Sequence, residues 1–164
     1  MSHLLEREME LALPRERVFA FFSDAFNLEQ ITPPELRFRV TTRAPIELEA
    51  GAHIHYRLVL YGIPFDWETR ISRWDPPCAF ADEQVRGPYR RWVHLHEFEE
   101  RATGTRIRDC VEYGLPFGWI GACAHPLVRR QLDRIFDFRQ RTIAHLLGGA
   151  GRATQAERPR AGGR

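Results

Sequence analysis

The sequence predicts an α+β fold in which one curved antiparallel sheet of seven strands wraps around one long C-terminal helix. Three observations carry this. Residues 36–113 hold six strand-like segments, each closed by a tight Gly/Pro-rich turn. A single long amphipathic helix pattern follows, over His125–Leu147. One strand and two short helices come first. The long helix is therefore the only element able to cover the apolar face of so large a sheet.

The first strand spans His3–Leu11, where Leu5, Arg7, Met9 and Leu11 alternate with Glu6, Glu8 and Glu10. Pro14 opens a short helix bearing Val18, Phe19, Phe21 and Phe22. Ser23 or Asp24 can cap a second short helix through Phe26, Leu28 and Ile31, and Thr32-Pro33-Pro34 stops it. Strands are then predicted at 36–43, 52–61, 65–74, 78–86, 89–99 and 105–113. The turns between them are Ala50-Gly51, Gly62-Ile63-Pro64, Asp75-Pro76-Pro77, Gly87-Pro88 and Thr103-Gly104. Such close spacing implies a meander of antiparallel hairpins. Residues 1–148 read as one domain and 149–164 as a disordered tail rich in Gly, Ala, Arg and Pro, dispensable for stability.

In the long helix, Pro126 suits the first turn and Gly148-Gly149 the end. At about 100° per residue, Val128, Leu132, Ile135, Phe136, Ile143, Leu146 and Leu147 form one apolar stripe. Arg139 falls in the middle of it. A buried charge there needs a partner. Arg139 snorkels out, pairs with a structural carboxylate, or points into a cavity and meets a ligand.

Composition narrows the function. All 24 basic residues are arginine, and the net charge is +2, with much of the excess in the tail. That gives no basic footprint for nucleic acid or a membrane surface. No apolar run is long enough to insert stably in a membrane. Cys78, Cys110 and Cys123 are odd in number and lack CxxC spacing, which fits reduced thiols and a cytoplasmic setting. There is no Gly-x-Ser-x-Gly elbow, local Cys–His arrangement or phosphate loop, so nucleophilic catalysis has little support.

The element order resembles the helix-grip fold of the START/Bet v 1-like superfamily, also called SRPBCC, over nearly all of residues 3–147. The opening LPRERVFAFFSDAFNLEQITPP is similar to the start of bacterial cyclase/dehydrase-like members. GIPFDWETRI, FADEQVRGPYRRWVHLHEF and GTRIRDCVEYGLPFG resemble a bacterial ligand-binding branch. The resemblance implies a hydrophobic-ligand cavity without a cofactor, and it supplies no catalytic residue set.

Strand alternation says which residues face that cavity. Ile54, Tyr56, Leu58 and Leu60 point inward from one strand, and Phe65, Trp67, Thr69 and Ile71 from the next. Phe80, Asp82 and Gln84 follow, then Trp92, His94, His96 and Phe98, then Ile107, Asp109, Val111 and Tyr113. The expected ligand-binding set is therefore Tyr56, Trp67, Asp82, Gln84, Trp92, His94, His96, Phe98, Asp109, Tyr113 and Arg139. Two Asp and two His in a core need a reason. They are either a satisfied structural network or the polar end of a pocket, with catalysis and metal binding as lesser readings. His94-x-His96 puts two imidazoles on one strand face with Asp109 as a third ligand, but two-residue spacing alone is weak evidence. His53-x-His55 is a second such pair, placed on the outer face.

The expected function is binding of a lipid-, polyketide- or aromatic-like small molecule between sheet and helix. The alternative is a cyclase/dehydratase-type enzyme using the same His and Asp groups as acid and base. A third reading is an interaction module, in which Val93 and Leu95 on the convex face pair two copies into a homodimer.

Overall fold

The computed structural model describes residues 2–156. The chain runs β1 (Ser2–Leu11), α1 (Arg15–Phe22), α2 (Asn27–Gln30), a 3₁₀ turn (Pro34–Leu36), β2 (Arg39–Val40), β3 (His53–Leu60), β4 (Ile63–Asp75), β5 (Ala79–Arg86), β6 (Arg91–Arg101), β7 (Gly104–Gly114) and α3 (Gly118–Ala156). The seven strands form one sheet in the order β1-β7-β6-β5-β4-β3-β2, with every pairing antiparallel. β2 through β7 are the expected meander. β1 adds to the far edge by pairing with β7, Ser2 opposite Gly114 and Leu11 opposite Thr105.

The β4–β5 pairing is irregular at two places. Between Glu68 and Thr69 the extra residue is Val85 on β5, and between Ile71 and Arg73 it is Ser72 on β4. Such irregularities bend and twist a strand. The alternation read from sequence holds across the sheet. Ile54, Tyr56, Leu58 and Leu60 are buried, as are Thr69, Ile71, His94, His96, Phe98, Ile107, Asp109, Val111 and Tyr113.

Some boundaries differ from expectation. β3 and β4 are joined by two residues, Tyr61 (φ 52°) and Gly62 (φ 80°), rather than by Gly62-Ile63-Pro64. Two consecutive positive φ values give a two-residue turn whose twist matches the flanking strands. Helix α3 starts at Gly118, so Pro126 lies inside it rather than in its first turn. It also runs past Gly148-Gly149 to Ala156. A glycine costs a helix about 1 kcal/mol relative to alanine, which does not oblige it to stop. Residues 157–164 of the expected tail lie outside the described residues.

Leu132, Phe136, Ile143 and Leu147 of α3 are buried, whereas Leu146 is 37% exposed. The buried arc is thus narrower than the stripe read from sequence. The polar flanks tie α3 to both edges of the sheet. On the β1 side, Arg7 pairs with Asp133, Arg129 Nη1 donates to the Leu4 carbonyl at 2.9 Å, and Gln140 Nε2 donates to the Glu8 carbonyl at 2.9 Å. On the β2 side, Arg134 pairs with Glu35 of the 3₁₀ turn at 2.8 Å. Helix α1 closes one end of the grip. Its Phe19 and Phe22 pack edge-on against Phe98, with centroids 5.4 and 5.2 Å apart.

Contact fixes the glycine of the β6–β7 hairpin. Gly104 has φ 141°, and a Cβ there would lie 2.0 Å from the Leu11 carbonyl oxygen, where the β6–β7 hairpin meets the end of β1. Gly104→Ala is expected to destabilise the fold by about 1–3 kcal/mol in chemical denaturation. An unchanged midpoint would show that the hairpin does not need this close approach.

Candidate functional site

Between the concave sheet and α3 lies a cavity of about 140 Å³. Its apolar wall includes Phe21, Ile54, Leu58, Trp67, Trp92, Leu132 and Ile135. Asp82, His94, His96 and Arg139 form its polar end. Strand register brings these groups together. Asp82 sits opposite His94 across β5–β6, and His96 sits opposite Asp109 across β6–β7. All point to the same face, because His94 and His96 are two residues apart on one strand.

Two imidazoles, with centroids 3.8 Å apart, are held between two carboxylates. Asp109 lies on the side away from the cavity. His94 Nε2 donates to Asp109 Oδ1 at 3.2 Å. His96 Nδ1 is 2.7 Å from the same oxygen, an ionic contact that lies off the line of a well-directed hydrogen bond. Asp82 lies on the cavity side. Its Oδ2 is 3.6 Å from His96 Nε2 and 3.9 Å from His94 Nδ1. Thr69 Oγ1 reaches Asp82 Oδ1 at 3.5 Å and accepts the Trp67 indole N–H at 3.3 Å.

Burial disfavours charge on all three groups of the inner network, and neighbours decide the outcome. Burial would raise Asp109, but the two histidines, His96 above all, outweigh it and hold this carboxyl well below the usual range. Burial and the adjacent His96 push His94 down, against the pull of Asp109 and Asp82. For His96 burial is also the largest single influence, yet Asp109 and Asp82 together overcome it and the ring titrates above its ordinary value. The two neighbouring imidazoles are thus displaced in opposite directions, His96 toward the protonated form and His94 toward the neutral one. Burial raises the Tyr56 hydroxyl well above its usual value.

Arg139 enters the cavity from α3 with its guanidinium carbon 5.0 Å from the centre of the Phe136 ring. Its Nε is buried without a hydrogen-bond partner. Among the described residues no carboxylate lies within 4.0 Å of it. Burial lowers its pKa, and the more distant Asp109 and Asp82 partly restore it. The side chain is half-buried and lines the cavity. The direct salt bridge that an inward arginine requires is thus absent in this structure.

Of the residues read from sequence, Tyr56, Trp67, Asp82, Trp92, His94, His96 and Arg139 line the cavity. Four others sit elsewhere. Gln84 braces the β5–β6 turn, donating to the Tyr89 carbonyl at 2.6 Å and accepting the Tyr89 N–H at 3.2 Å. Phe98 belongs to the phenylalanine cluster under α1. Tyr113 packs beneath the start of α3, with its hydroxyl 3.1 Å from His125 Nε2. Asp109 acts from behind the histidines. Tyr89 was not anticipated, although it lines the cavity against Trp67 and Trp92, with centroids 5.6 and 4.9 Å apart. It lies in a turn, where alternation carries no information.

A curved seven-stranded antiparallel sheet closed by a long C-terminal helix is the helix-grip architecture of the START/Bet v 1-like superfamily. Residues 11–139 match the family described as polyketide cyclase/dehydrase and lipid transport, and the chain belongs to that family. No curated protein matches the sequence. Similar solved structures include protein CV1439 from Chromobacterium violaceum, with TM-score 0.69 and 14% identity over 88% of this chain and 97% of that one. TTHA0849 from Thermus thermophilus gives 0.66 and 20% over 92% and 99%. The ginseng major latex-like protein 151 gives 0.64 and 11% over 90% and 98%. At these identities the likeness is one of fold.

Proposed function

We propose that the protein binds an apolar small molecule, lipid-, polyketide- or aromatic-like, in the cavity between sheet and α3. The observation that carries this reading is Arg139, half-buried at one end of an aromatic-walled cavity, with its Nε buried and without a hydrogen-bond partner. An unpaired buried charge is costly. A ligand with an apolar body and an acidic or strongly polar end would satisfy it through paired hydrogen bonds. The cavity volume of about 140 Å³ is that of an engineered site that takes one benzene-sized ring, roughly 150 Å³. A larger ligand would need α3 to move outward. The three free thiols fit a reducing, cytoplasmic setting, and no described helix is long and apolar enough to cross a membrane.

Trp67 and Trp92 line the cavity, so their fluorescence reports on it. The test is calorimetric titration of the whole chain with benzoate, a one-ring anion that matches the cavity, with tryptophan fluorescence as a second readout. Saturable one-to-one binding is expected, and Ile54→Trp, which fills the cavity, should abolish it. No saturation, or saturation unaffected by the filling variant, removes the reading. Arg139→Leu should weaken probe binding while leaving the ligand-free protein at least as stable, because no direct ion pair is lost.

The second reading is a cyclase/dehydratase-type enzyme. It is favoured by the opposite displacement of two touching histidines, His94 down and His96 up. Pairs of titratable groups pushed apart in this way suit a base and an acid. It predicts a bell-shaped pH–rate profile, lost in His96→Gln.

A further inference from the structure

We infer that Asp82, His94 and His96 form a binding site for a divalent first-row transition metal ion, with Asp109 as the group that orients both imidazole ligands from behind. The ion would sit at the polar end of the cavity with its remaining coordination positions open to the cavity. The inference does not rest on the apolar-ligand reading, because its test uses the ion alone.

The geometry starts at Asp109. Its carboxylate can only accept hydrogen bonds, so His94 Nε2, which bonds to it at 3.2 Å, carries hydrogen, and His96 Nδ1, at 2.7 Å from the same oxygen, is too close for two lone pairs to face each other and carries hydrogen as well. That sets the tautomer of each neutral imidazole. The opposite nitrogens, His94 Nδ1 and His96 Nε2, are the ligating ones, and both face Asp82. Two lone pairs and a carboxylate oxygen therefore converge on one point. This arrangement is repulsive unless a cation or a proton lies between them. Asp109 stands where metal sites place the carboxylate that fixes a ligating histidine.

The dimensions are close to those required. The donor atoms of Asp82, His94 and His96 lie within 4.8 Å of one another. An ion with bonds of about 2.0–2.2 Å in tetrahedral geometry needs donors about 3.4 Å apart. The distances from Asp82 to the two histidines, 3.6 and 3.9 Å, are within reach of that through small side-chain rotations. Two imidazoles and one carboxylate suit zinc, iron and their neighbours better than calcium or magnesium, which prefer oxygen.

Position separates this cluster from surface carboxylate groups. His94 and His96 are buried, Asp82 is 19% exposed, and all three line the cavity, while Asp109 does not. A divalent ion with two neutral histidines, two carboxylates and Arg139 would leave the polar end at about +1. Such a site attracts an anionic or strongly polar group to the open positions.

The experiment uses the full chain stripped with chelator and titrated calorimetrically with Zn²⁺ at about pH 7.5. One-to-one binding with a dissociation constant below about 10 µM is expected. Asp82→Asn should weaken it at least tenfold. Asp82 is partly accessible and makes only one long hydrogen bond, so this variant is expected to fold, with circular dichroism as the check. His3 and His125, whose rings stack at 3.7 Å, are a histidine pair outside the cavity lining, so as a control His3→Ala should leave affinity unchanged. Co²⁺ should give the visible bands of a nitrogen/oxygen site, without the near-ultraviolet band of a thiolate ligand. Asp109→Asn should lower affinity by about 10- to 100-fold while keeping the Co²⁺ band positions, as expected of a positioning residue. Absence of one-to-one binding, a loss below tenfold in Asp82→Asn, or loss of binding in His3→Ala overturns the inference.

Discussion

Phe136→Ala should remove about 3–5 kcal/mol of folding stability. Phe136 is 1% exposed and packs with Leu5, Val111, Tyr113 and Leu132, where α3 crosses the β1–β7 edge of the sheet. Its ring also meets His94 edge-on at 5.5 Å and lies 5.0 Å from the Arg139 guanidinium carbon. Truncation removes apolar contact on three sides and leaves a void that merges with the existing cavity, where the surroundings cannot close over it. Urea denaturation of wild type and variant measures the effect. A loss below about 1 kcal/mol would mean that this face of α3 does not carry the packing described here.

Asp109→Ala should cost a similar amount, about 3–5 kcal/mol, for an electrostatic reason. The substitution leaves two buried imidazoles without the carboxylate that holds both, and leaves the Arg139 charge less compensated. The metal-free wild type should show a definite pH signature. Asp109 has a depressed folded-state pKa, so its stabilisation is full above the unfolded carboxyl value and fades as pH falls toward the folded one. His94 is depressed too, so the folded state loses ground as pH drops below the ordinary histidine value. His96 is raised, so its contribution is full below the ordinary histidine value and is lost as pH climbs through the folded one. Stability should therefore decline on both sides of the near-neutral range. Unfolding curves for wild type, Asp109→Asn and Asp109→Ala at a series of pH values test this. If Asp109→Ala costs under about 1 kcal/mol and keeps the wild-type profile, the network is not organised around Asp109.

Much of this arrangement was legible in the chain because strand alternation has a period of two. Once Trp92, His94, His96 and Phe98 are assigned to one face, Asp82 and Asp109 follow from hairpin pairing. What alternation could not say is which inward residues meet free space. Asp82 borders the cavity and Asp109 does not, although both face the same way, because where sheet and helix separate depends on the bend of the whole sheet, which alternation does not encode. Gln84 was misread for a local reason: its side chain serves the backbone of its own turn. The ends of α3 were misread because Pro126 and Gly148 are tolerated inside a long helix when neighbouring turns supply enough hydrogen bonds and packing.

The placement of β1 bears on how the chain folds. Ser2 finds its partner in Gly114, so β1, made before the other six strands, joins the sheet only after β7 exists. Until then Leu5, Met9 and Leu11 have no strand beside them. The six-stranded meander can zip from local hairpins, but the final seam waits on closure of a very long loop. Pairings between residues so distant in sequence slow the search for the native state. Refolding should accordingly show early hairpin protection in β3–β7 and late protection of the β1 amides, a sequence that pulsed hydrogen exchange would resolve. On the ribosome, the N-terminal strand would remain open to wrong partners until Gly114 has cleared the exit tunnel.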